Sequence, residues 1–287
     1  MLMVVGATGM LGGLVTRELL RQRLPVRVLA RSPEGAGPLA AEGAEPVYGD
    51  LKDPPSLAAA LRGVDTVVTT ANSAMRGGDD TIQTVDIEGN RHLVDAARSA
   101  GVRQFVFVSA LGAGADSPVP LMQAKGRTED HLRASGIPYT IVAPNAFMEV
   151  WAPRVVGAPA KAGQPVTLVG EGRRRHSFIS MWDVAKFVVK AVGNSAAVDR
   201  YLPIGGPQAL SWRDVVAAYE RALGRPIPVR FVAPGDPLPG LPDPMPALLA
   251  GFETYDSPVD MTELAHAFDV QLTTLDEFAR EDVATPR

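Results

Sequence analysis

Three evenly spaced glycines follow the first apolar run of the chain, and they are the residues best suited to bind a ligand. The segment "VVGATGMLGG" places Gly6, Gly9 and Gly12 after a predicted strand and at the start of a predicted helix. In that context Gly6 permits a tight turn, Gly9 lets the backbone approach a pyrophosphate, and Gly12 lets the helix pack closely. The helix N-terminus attracts the anion through its free N–H groups. The predicted contact residues of this turn are Gly6, Thr8, Gly9, Met10, Leu11 and Gly12.

The residues that follow the next three predicted strands are expected beside the same ligand. Arg31 and Ser32 follow the second strand in "VLARSP". An acidic residue there usually binds the ribose 2′-OH of NAD, whereas the planar, paired donors of arginine favour the 2′-phosphate of NADP. We therefore predict NADP(H) as cofactor. The alternative is that Arg31 is a surface residue that binds no ligand. The other predicted contacts are Asp50, Leu51, Thr70, Ala71 and Asn72.

Short apolar runs alternate with helical patterns over the first half of the chain. Runs of β-branched and aromatic residues of this length fit strands that are covered on both faces. Strands are predicted at 2–5, 26–30, 44–50, 65–71, 104–110 and 139–144, and helices at 10–23, 54–62, 80–100 and 122–135. This alternation implies an α/β protein with a Rossmann-type, doubly wound parallel sheet.

The alternation loosens after about residue 145. We predict a strand and then a helix over 176–192, and a strand over 227–233. A helix is predicted over 211–224, with Ser211 as its N-cap and Gly224 at its end. The stretch 234–246 is rich in Pro and Gly and predicts a loop, either over the substrate side or as a plain surface connection.

Several segments together resemble the NmrA-like group of atypical short-chain dehydrogenases, over roughly residues 2–192. They are "GATGMLGG", "VLARSP", "GD" at 49–50, "FVFVSA", "KGRTEDHLRASGIPYTIVAPNAFME" (125–149) and "FISMWDVA" (178–185). One departure is Ala143, which stands where the group usually has an arginine before the proline. The resemblance implies an NADP-binding Rossmann domain over 1–150, to which 176–204 returns. It also implies a smaller C-terminal substrate-binding domain from 151–175 and 205–287.

The resemblance further implies where chemistry would occur. In typical short-chain dehydrogenases a tyrosine donates a proton while hydride arrives, and a lysine four residues later holds the nicotinamide ribose and lowers the tyrosine pKa. Here Lys125 is retained, but Leu121 stands at the tyrosine position. Lys125 is predicted to bind the ribose, or to act as acid or base if burial lowers its pKa; a solvated helix lysine is the plain alternative. Ser109 is predicted either to orient a carbonyl or only to end its strand.

Pro144, Asn145 and Phe147 follow the sixth predicted strand, and the resemblance implies that they contact the cofactor, with Asn145 and Phe147 facing the nicotinamide. Simple core packing is an equally good interpretation for Phe147. A literal tyrosine–lysine match, Tyr48 with Lys52, lies towards the adenine side, and we interpret it as coincidence.

These observations lead to one main functional hypothesis and two alternatives. The main hypothesis is an NADPH-dependent oxidoreductase that passes hydride to a small quinone-like or conjugated acceptor. A quinone yields a hydroquinone anion that its ring stabilises and solvent protonates, so a tyrosine acid is less necessary. The alternatives are a non-catalytic NADP(H)-sensing regulator, which the missing tyrosine favours, and an isomerase, epimerase or lyase that holds its cofactor tightly or uses none.

Composition excludes several other classes. The chain has no cysteine, which rules out disulfides and thiolate chemistry, and a net charge of −4, which argues against a broad nucleic-acid surface. No histidine pair has zinc-ligand spacing, so no metal is predicted. No signal peptide or spanning apolar run is evident, and we expect a cytoplasmic protein with a small, apolar substrate. A homodimer and a regulatory protein partner are both compatible with this sequence.

Overall fold

The structure is a computed structural model that describes residues 1–74, 76–238, 240–242 and 244–285. The first half of the chain runs β1 (Leu2–Val5), α1 (Met10–Arg21), β2 (Val26–Ala30), α2 (Pro33–Ala41), β3 (Glu45–Tyr48), α3 (Pro54–Ala60), β4 (Thr66–Thr69), a π-helical segment (Ile82–Gly89) continuous with α4 (Asn90–Ser99), β5 (Gln104–Val108), α5 (Pro120–Ala134) and β6 (Tyr139–Pro144). The second half runs α6 (Met148–Ala152), a π-helical segment (Pro153–Gly157), α7 (Ala158–Lys161), β7 (Val166–Val169), α8 (Met181–Ala191), a 3-10 turn (Ser195–Ala197), β8 (Arg200–Ile204), α9 (Trp212–Leu223), β9 (Val229–Val232), α10 (Met245–Phe252), α11 (Thr262–Ala267) and α12 (Leu275–Ala284).

The chain forms two units, and the first contains Met1–Pro144 and Val184–Pro203. Its sheet has the strand order β3-β2-β1-β4-β5-β6-β8. Strands β1 to β6 pair in parallel, with Val5 of β1 opposite both Leu29 of β2 and Thr69 of β4. The order reverses beside β1, which makes the β1/β4 edge a switch point where ligands of such sheets bind. The predicted doubly wound parallel sheet is confirmed.

Burial explains why the first unit forms these strands. Every residue of β1 and of β5 is buried, as expected for strands covered by helices on both faces. Met3, Val67 and Phe105 are fully buried in one apolar cluster beneath the helices. The apolar runs that predicted strands therefore identify the core of this unit.

Helix α2 was not predicted, because its sequence is rich in Gly and Pro. Pro33 stands at its first position, where the missing N–H costs nothing, and the Ser32 hydroxyl accepts a hydrogen bond from the Gly35 N–H at 3.4 Å. A second proline, Pro38, lies inside the helix. Local capping thus forms a helix that composition argued against.

The second unit contains Asn145–Asp183 and residues 204–285. Strands β7 and β9 pair in parallel, with Val166 opposite Val229. Its core includes Trp151, Phe178 and Trp212, all buried. The other buried residues of this core come from α6, the π-helical segment after it, α7, β7, α9, α10 and α12, together with Ile227 and Leu238, and the half-buried Val229 and Val232 of β9 pack against them.

Helix α9 has the predicted ends. Ser211 forms a capping box with Asp214, and Gly224 adopts a left-handed conformation with φ of 66°. The strand predicted over 227–233 forms as β9. Of the loop predicted over 234–246, residues 239 and 243 lie outside the described residues, and α10 already begins at Met245.

The strand predicted near 176 is wrong, although the helix after it forms as α8. With the described residues, the segment makes only isolated bridges, from His176 to Leu210 and Ser257 and from Ile179 to Phe147. The Phe178 N–H donates to the His176 carbonyl, which turns the backbone back on itself. Buried aromatic residues made this turn look like a strand.

Candidate active site

The glycine turn between β1 and α1 is closed as tightly as its sequence predicted. Gly6 has φ of +84°, and its carbonyl accepts the Gly9 N–H at 3.0 Å. A Cβ at Gly12 would lie 2.1 Å from the Gly6 oxygen and 2.7 Å from Thr70 Oγ1. Only glycine therefore lets the start of α1 approach the turn this closely.

Helix α1 begins at Met10, which is exposed, and Leu11 is buried behind it. The first N–H groups of an α-helix have no partner within the helix and carry partial positive charge. Those of Met10, Leu11 and Gly12 lie directly after the turn, at the carboxyl edge of the sheet. The turn and the helix start thus fit a pyrophosphate.

An open groove lies at this edge of the first unit. Several predicted contact residues line it, namely Gly6, Thr8, Arg31, Asp50, Leu51, Ala71 and Asn72. Val85 and Leu29 give it an apolar wall. Such a mixture of apolar lining and a few polar groups is typical of a cofactor site.

Three predicted contacts are used within the protein. The Ser32 hydroxyl caps α2, and Thr70 Oγ1 lies 3.4 Å from the Gly6 carbonyl oxygen. The Asp50 carboxylate accepts the Lys52 N–H at 2.9 Å. These contacts stabilise the rim of the groove, and the predicted roles of the three residues towards a ligand stay predictions.

Arg31 belongs to a charged cluster that the sequence did not predict. Its guanidinium donates to Asp80 Oδ2 at 2.7 Å, and Lys52 donates to Asp80 Oδ1 at 2.8 Å. The Arg76 guanidinium lies 3.6 Å from Asp80 Oδ2. The hydrogen bond from Lys52 is the main cause that lowers the pKa of Asp80, despite burial of the carboxylate. Asp80 is therefore a carboxylate held ionised by cations.

Lys125 on α5 is buried, so the solvated-lysine interpretation is wrong. Its Nζ donates to the Val108 carbonyl at 3.0 Å, at the end of β5, and lies 5.3 Å from the Phe107 ring centre. Burial lowers the pKa of Lys125, while the nearby carboxylates of Asp86 and Glu129 act in the opposite direction. The ammonium therefore lies in a desolvated site with acidic neighbours.

Ser109 and two carboxylates surround this lysine. The Ser109 hydroxyl donates to Glu129 Oε1 at 2.5 Å, and Glu129 Oε2 accepts from Arg133 at 2.8 Å. Asp86 Oδ2 accepts the Ser73 N–H at 3.0 Å, and burial raises the pKa of Asp86. The Ser109 hydroxyl, one residue beyond β5, thus binds a buried carboxylate, and both predicted interpretations of Ser109 stay predictions.

The predicted residues after β6 are divided between the units. Pro144 ends β6, and its carbonyl accepts the Leu111 N–H at 2.9 Å. Asn145 belongs to the second unit and donates through Nδ2 to the Ser257 carbonyl at 2.7 Å. Phe147 precedes α6. The expected contacts of these three residues with the cofactor stay predictions.

One sequence signal could have identified part of what was missed. Glu129 lies four residues after Lys125, which places both side chains on one face of α5. Asp80 has no comparable signal, because Arg31 lies 49 residues before it in the chain. Only the fold shows that these two side chains meet.

Within the described residues, no helix is both long and apolar enough to cross a membrane. The same residues contain no group of three or more His, Asp or Glu side chains placed to hold a metal ion.

A glycine turn at the switch point of a parallel α/β sheet, followed by a helix N-terminus and a lined groove, defines a dinucleotide-binding protein of Rossmann type. Comparison with known proteins agrees with this class. The model of a family described as NAD(P)H-binding matches residues 6–195. The chain therefore belongs to this NAD(P)H-binding family.

Individual relatives differ in what they are named for. The chain is 35% identical to an NAD(P)H azoreductase from Xenophilus azovorans, over 81% of this chain and 77% of that protein. It is 34% identical to a photosystem II assembly factor from Synechocystis sp., over 77% of this chain and 67% of that protein. A crystal structure of an NADPH-dependent quinone oxidoreductase from Escherichia coli with NADPH has a similar fold, with a TM-score of 0.81 and 24% identity over 98% of this chain and 99% of that chain.

Proposed function

We propose that this NAD(P)H-dependent oxidoreductase uses NADPH to reduce a small, apolar quinone-like or conjugated acceptor without a tyrosine acid. The observation that carries the proposal is the buried ammonium of Lys125, with Leu121 one helical turn before it on α5. The lysine of a reductase is retained in a desolvated site, while the usual proton donor is replaced by a hydrocarbon side chain.

The chemistry of the acceptor explains how the tyrosine could be lost. When NADPH supplies a hydride to a quinone or an extended conjugated system, the product anion is delocalised, and solvent can protonate it afterwards. The protein then needs mainly to align the two reactants and exclude water. The names of two similar proteins, an azoreductase and a quinone oxidoreductase, refer to conjugated acceptors and support this substrate class.

The roles of the residues follow from their positions. We assign the pyrophosphate to the turn at Gly6, Gly9 and Gly12, the 2′-phosphate to Arg31, and the nicotinamide ribose to Lys125. Lys125 would supply positive charge and a hydrogen bond, because its ammonium has donors beyond the one used by the Val108 carbonyl. We further assign cofactor binding to the first unit and the acceptor-binding residues to the second.

A second candidate is a regulatory protein that binds NADP(H) and catalyses nothing. Leu121 favours it, and so does the similarity to a photosystem II assembly factor, a protein named for assembly rather than for a reaction. In this function the dinucleotide site would report the ratio of NADP to NADPH to a protein partner.

The deciding experiment follows NADPH absorbance with the intact protein and a panel of quinones, enones and azo dyes. The proposal predicts NADPH oxidation that depends on both protein and acceptor, with lower KM for NADPH than for NADH. Simple ketones, whose alkoxide products need an acid, should react at least about a hundredfold more slowly. Tight NADPH binding without turnover of any acceptor would contradict the reductase and favour the regulatory protein.

A further inference from the structure

The cluster around Asp80 contains three cations bound to one carboxylate. Arg31, Lys52 and Arg76 all have a side-chain nitrogen within 3.6 Å of an Asp80 oxygen. The Asp80 side chain is 8% exposed, whereas that of Arg31 is 51% exposed. Asp80, Arg31 and Arg76 also line the groove beside the glycine turn. The carboxylate therefore lies at the inner side of a positively charged wall of the groove.

The chain fixes Asp80 at this point by local geometry. Gly77 and Gly78 both adopt positive φ, and the Asp80 N–H donates to the Gly77 carbonyl at 3.3 Å. The next residue, Thr81, forms a capping box with Thr84 at the start of the π-helical segment. A tight turn on one side and a capped helix on the other hold the carboxylate against the cations.

The charges in the cluster do not balance. The cluster has three cations but only two carboxylates. The second carboxylate is Asp50, whose Oδ2 lies 4.0 Å from Lys52 Nζ. A phosphate monoester adds about 1.5 to 2 negative charges near neutral pH. It would bind the same two cations as Asp80, the Arg31 guanidinium and the Lys52 ammonium, through N–H donors that Asp80 does not use. A phosphate bound there would therefore lie close to the Asp80 carboxylate, and the two negative charges would repel each other.

We propose that Asp80 is a specificity-determining residue, an internal competitor of the cofactor 2′-phosphate for Arg31 and Lys52 that limits the preference for NADPH over NADH. The inference rests on the proposed assignment of Arg31 to the 2′-phosphate. NADH has a hydroxyl at that position, so its binding does not draw on these cations in the same way. Asp80 thereby reduces the advantage that three cations would otherwise give NADPH.

The test measures dissociation constants of NADPH, NADH and 2′,5′-ADP by calorimetry for the intact chain and for Asp80→Asn. Asn keeps the size of the side chain and removes its charge. A unit of like charge at 5–6 Å in a solvated site changes the affinity for a dianion by about tenfold. We expect NADPH and 2′,5′-ADP to bind about tenfold more tightly to Asp80→Asn, with NADH changed less than about twofold.

Controls separate charge from structure. Asp79→Asn removes the same charge from an exposed neighbouring position and should leave all three constants unchanged. Asp80→Glu keeps the charge and should keep the original ratio of NADPH to NADH affinity. Asp80→Ser is a second neutral variant, so a folding defect of Asp80→Asn alone would not decide the question.

The outcomes are distinguishable. Equal gains for NADPH and NADH, no gain, or a loss of NADPH affinity in the folded neutral variants would overturn the competition and leave the proposed reductase standing. An intact protein that binds neither NADPH nor 2′,5′-ADP would overturn the cofactor assignment together with this inference.

Discussion

At the scale of single residues, the site is organised by buried charges. Lys125 is desolvated, and two carboxylates act on its pKa: Asp86, in the first π-helical segment, and Glu129, one turn further along α5. Arg133 pairs with Glu129 at 2.8 Å, and of the two carboxylates Asp86 has the larger effect on the pKa of Lys125. Burying ions costs several kcal/mol each unless they are paired. Such an arrangement is expected where a protein needs a charge in a desolvated site, and it supports a role for Lys125 beyond packing.

Replacing Lys125 by Met tests that role. Met keeps the length of the side chain and its apolar stem but removes the ammonium. We expect kcat/KM for NADPH to fall at least about tenfold, equivalent to about 1.4 kcal/mol of transition-state stabilisation. Steady-state kinetics with the best acceptor of the panel would measure it.

The matched control is Arg127→Met, which removes a positive charge from an exposed position two residues along the same helix. It should leave kcat/KM within about twofold, because exposed charges contribute little. Similar kinetics for both variants and the intact protein would show that Lys125 is only a buried structural lysine.

At the scale of elements, the approach of α1 to the sheet determines the cofactor site. The Gly12 position is closed by the carbonyl of Gly6, directly after β1, and by the hydroxyl of Thr70, directly after β4. The next glycine, Gly13, has a different environment: its Cβ would meet a flexible end of Arg17 at 3.3 Å and the Ala7 oxygen at 3.4 Å. Two adjacent glycines in one helix thus carry different constraints.

This difference gives a paired prediction. Gly12→Ala should lower the free energy of unfolding by about 1–3 kcal/mol through overpacking and weaken NADPH binding at least about tenfold. Gly13→Ala should change stability by no more than about 1 kcal/mol, because Ala favours the helix by a similar amount. Denaturant unfolding and calorimetry would measure both quantities. Equal effects of the two substitutions would contradict the close approach at Gly12.

At the scale of the whole molecule, the sequence predicted the parts whose cause is local. The strands β1 to β6 follow from apolar runs, and the ends of α9 follow from Ser211 and Gly224. Helix α2 was missed because Pro33 and Ser32 compensate for a poor helical composition. A strand was wrongly predicted near His176 because the segment is apolar. Its side chains are buried against neighbouring aromatic rings, and its backbone does not pair in a sheet.

In the candidate site, too, the residues with a local sequence signal were predicted and those brought together by the fold were missed. The glycine turn and Arg31 were found because they follow strands directly, and strand ends meet at one edge of a parallel sheet. Asp80 and Arg76 were missed because they lie in the connection after β4, where spacing along the chain does not show which oppositely charged side chains meet. The topology of the fold determines which distant charged residues meet, and such pairs cannot be predicted from a single sequence.

His176 makes the stability of the molecule depend on pH in a predictable direction. Its ring is fully buried among Phe178, Phe252 and Tyr255, with Nδ1 2.7 Å from Ser257 Oγ and Nε2 3.1 Å from the Phe252 carbonyl oxygen. Burial lowers the pKa of His176 below 6.5; the Phe252 carbonyl and Asp256 oppose this, and Arg174 adds to it. The unfolded chain then binds a proton more readily than the folded chain, so stability falls as pH falls below about 6.5.

The effect of His176 is the difference in unfolding free energy between the intact protein and His176→Gln, measured from pH 7.5 to pH 5.5. Asp86 and Glu149, whose pKa values burial raises, titrate in the opposite sense in both proteins and cancel in that difference. His176→Gln should unfold at a lower temperature at pH 7.5, because the ring contacts are lost. Its unfolding free energy should then decline less on acidification, by at most about 1.4 kcal/mol per pH unit. His266→Gln, at an exposed position, should keep the slope of the intact protein. Parallel pH profiles for all three proteins would mean that His176 takes up its proton without unfolding.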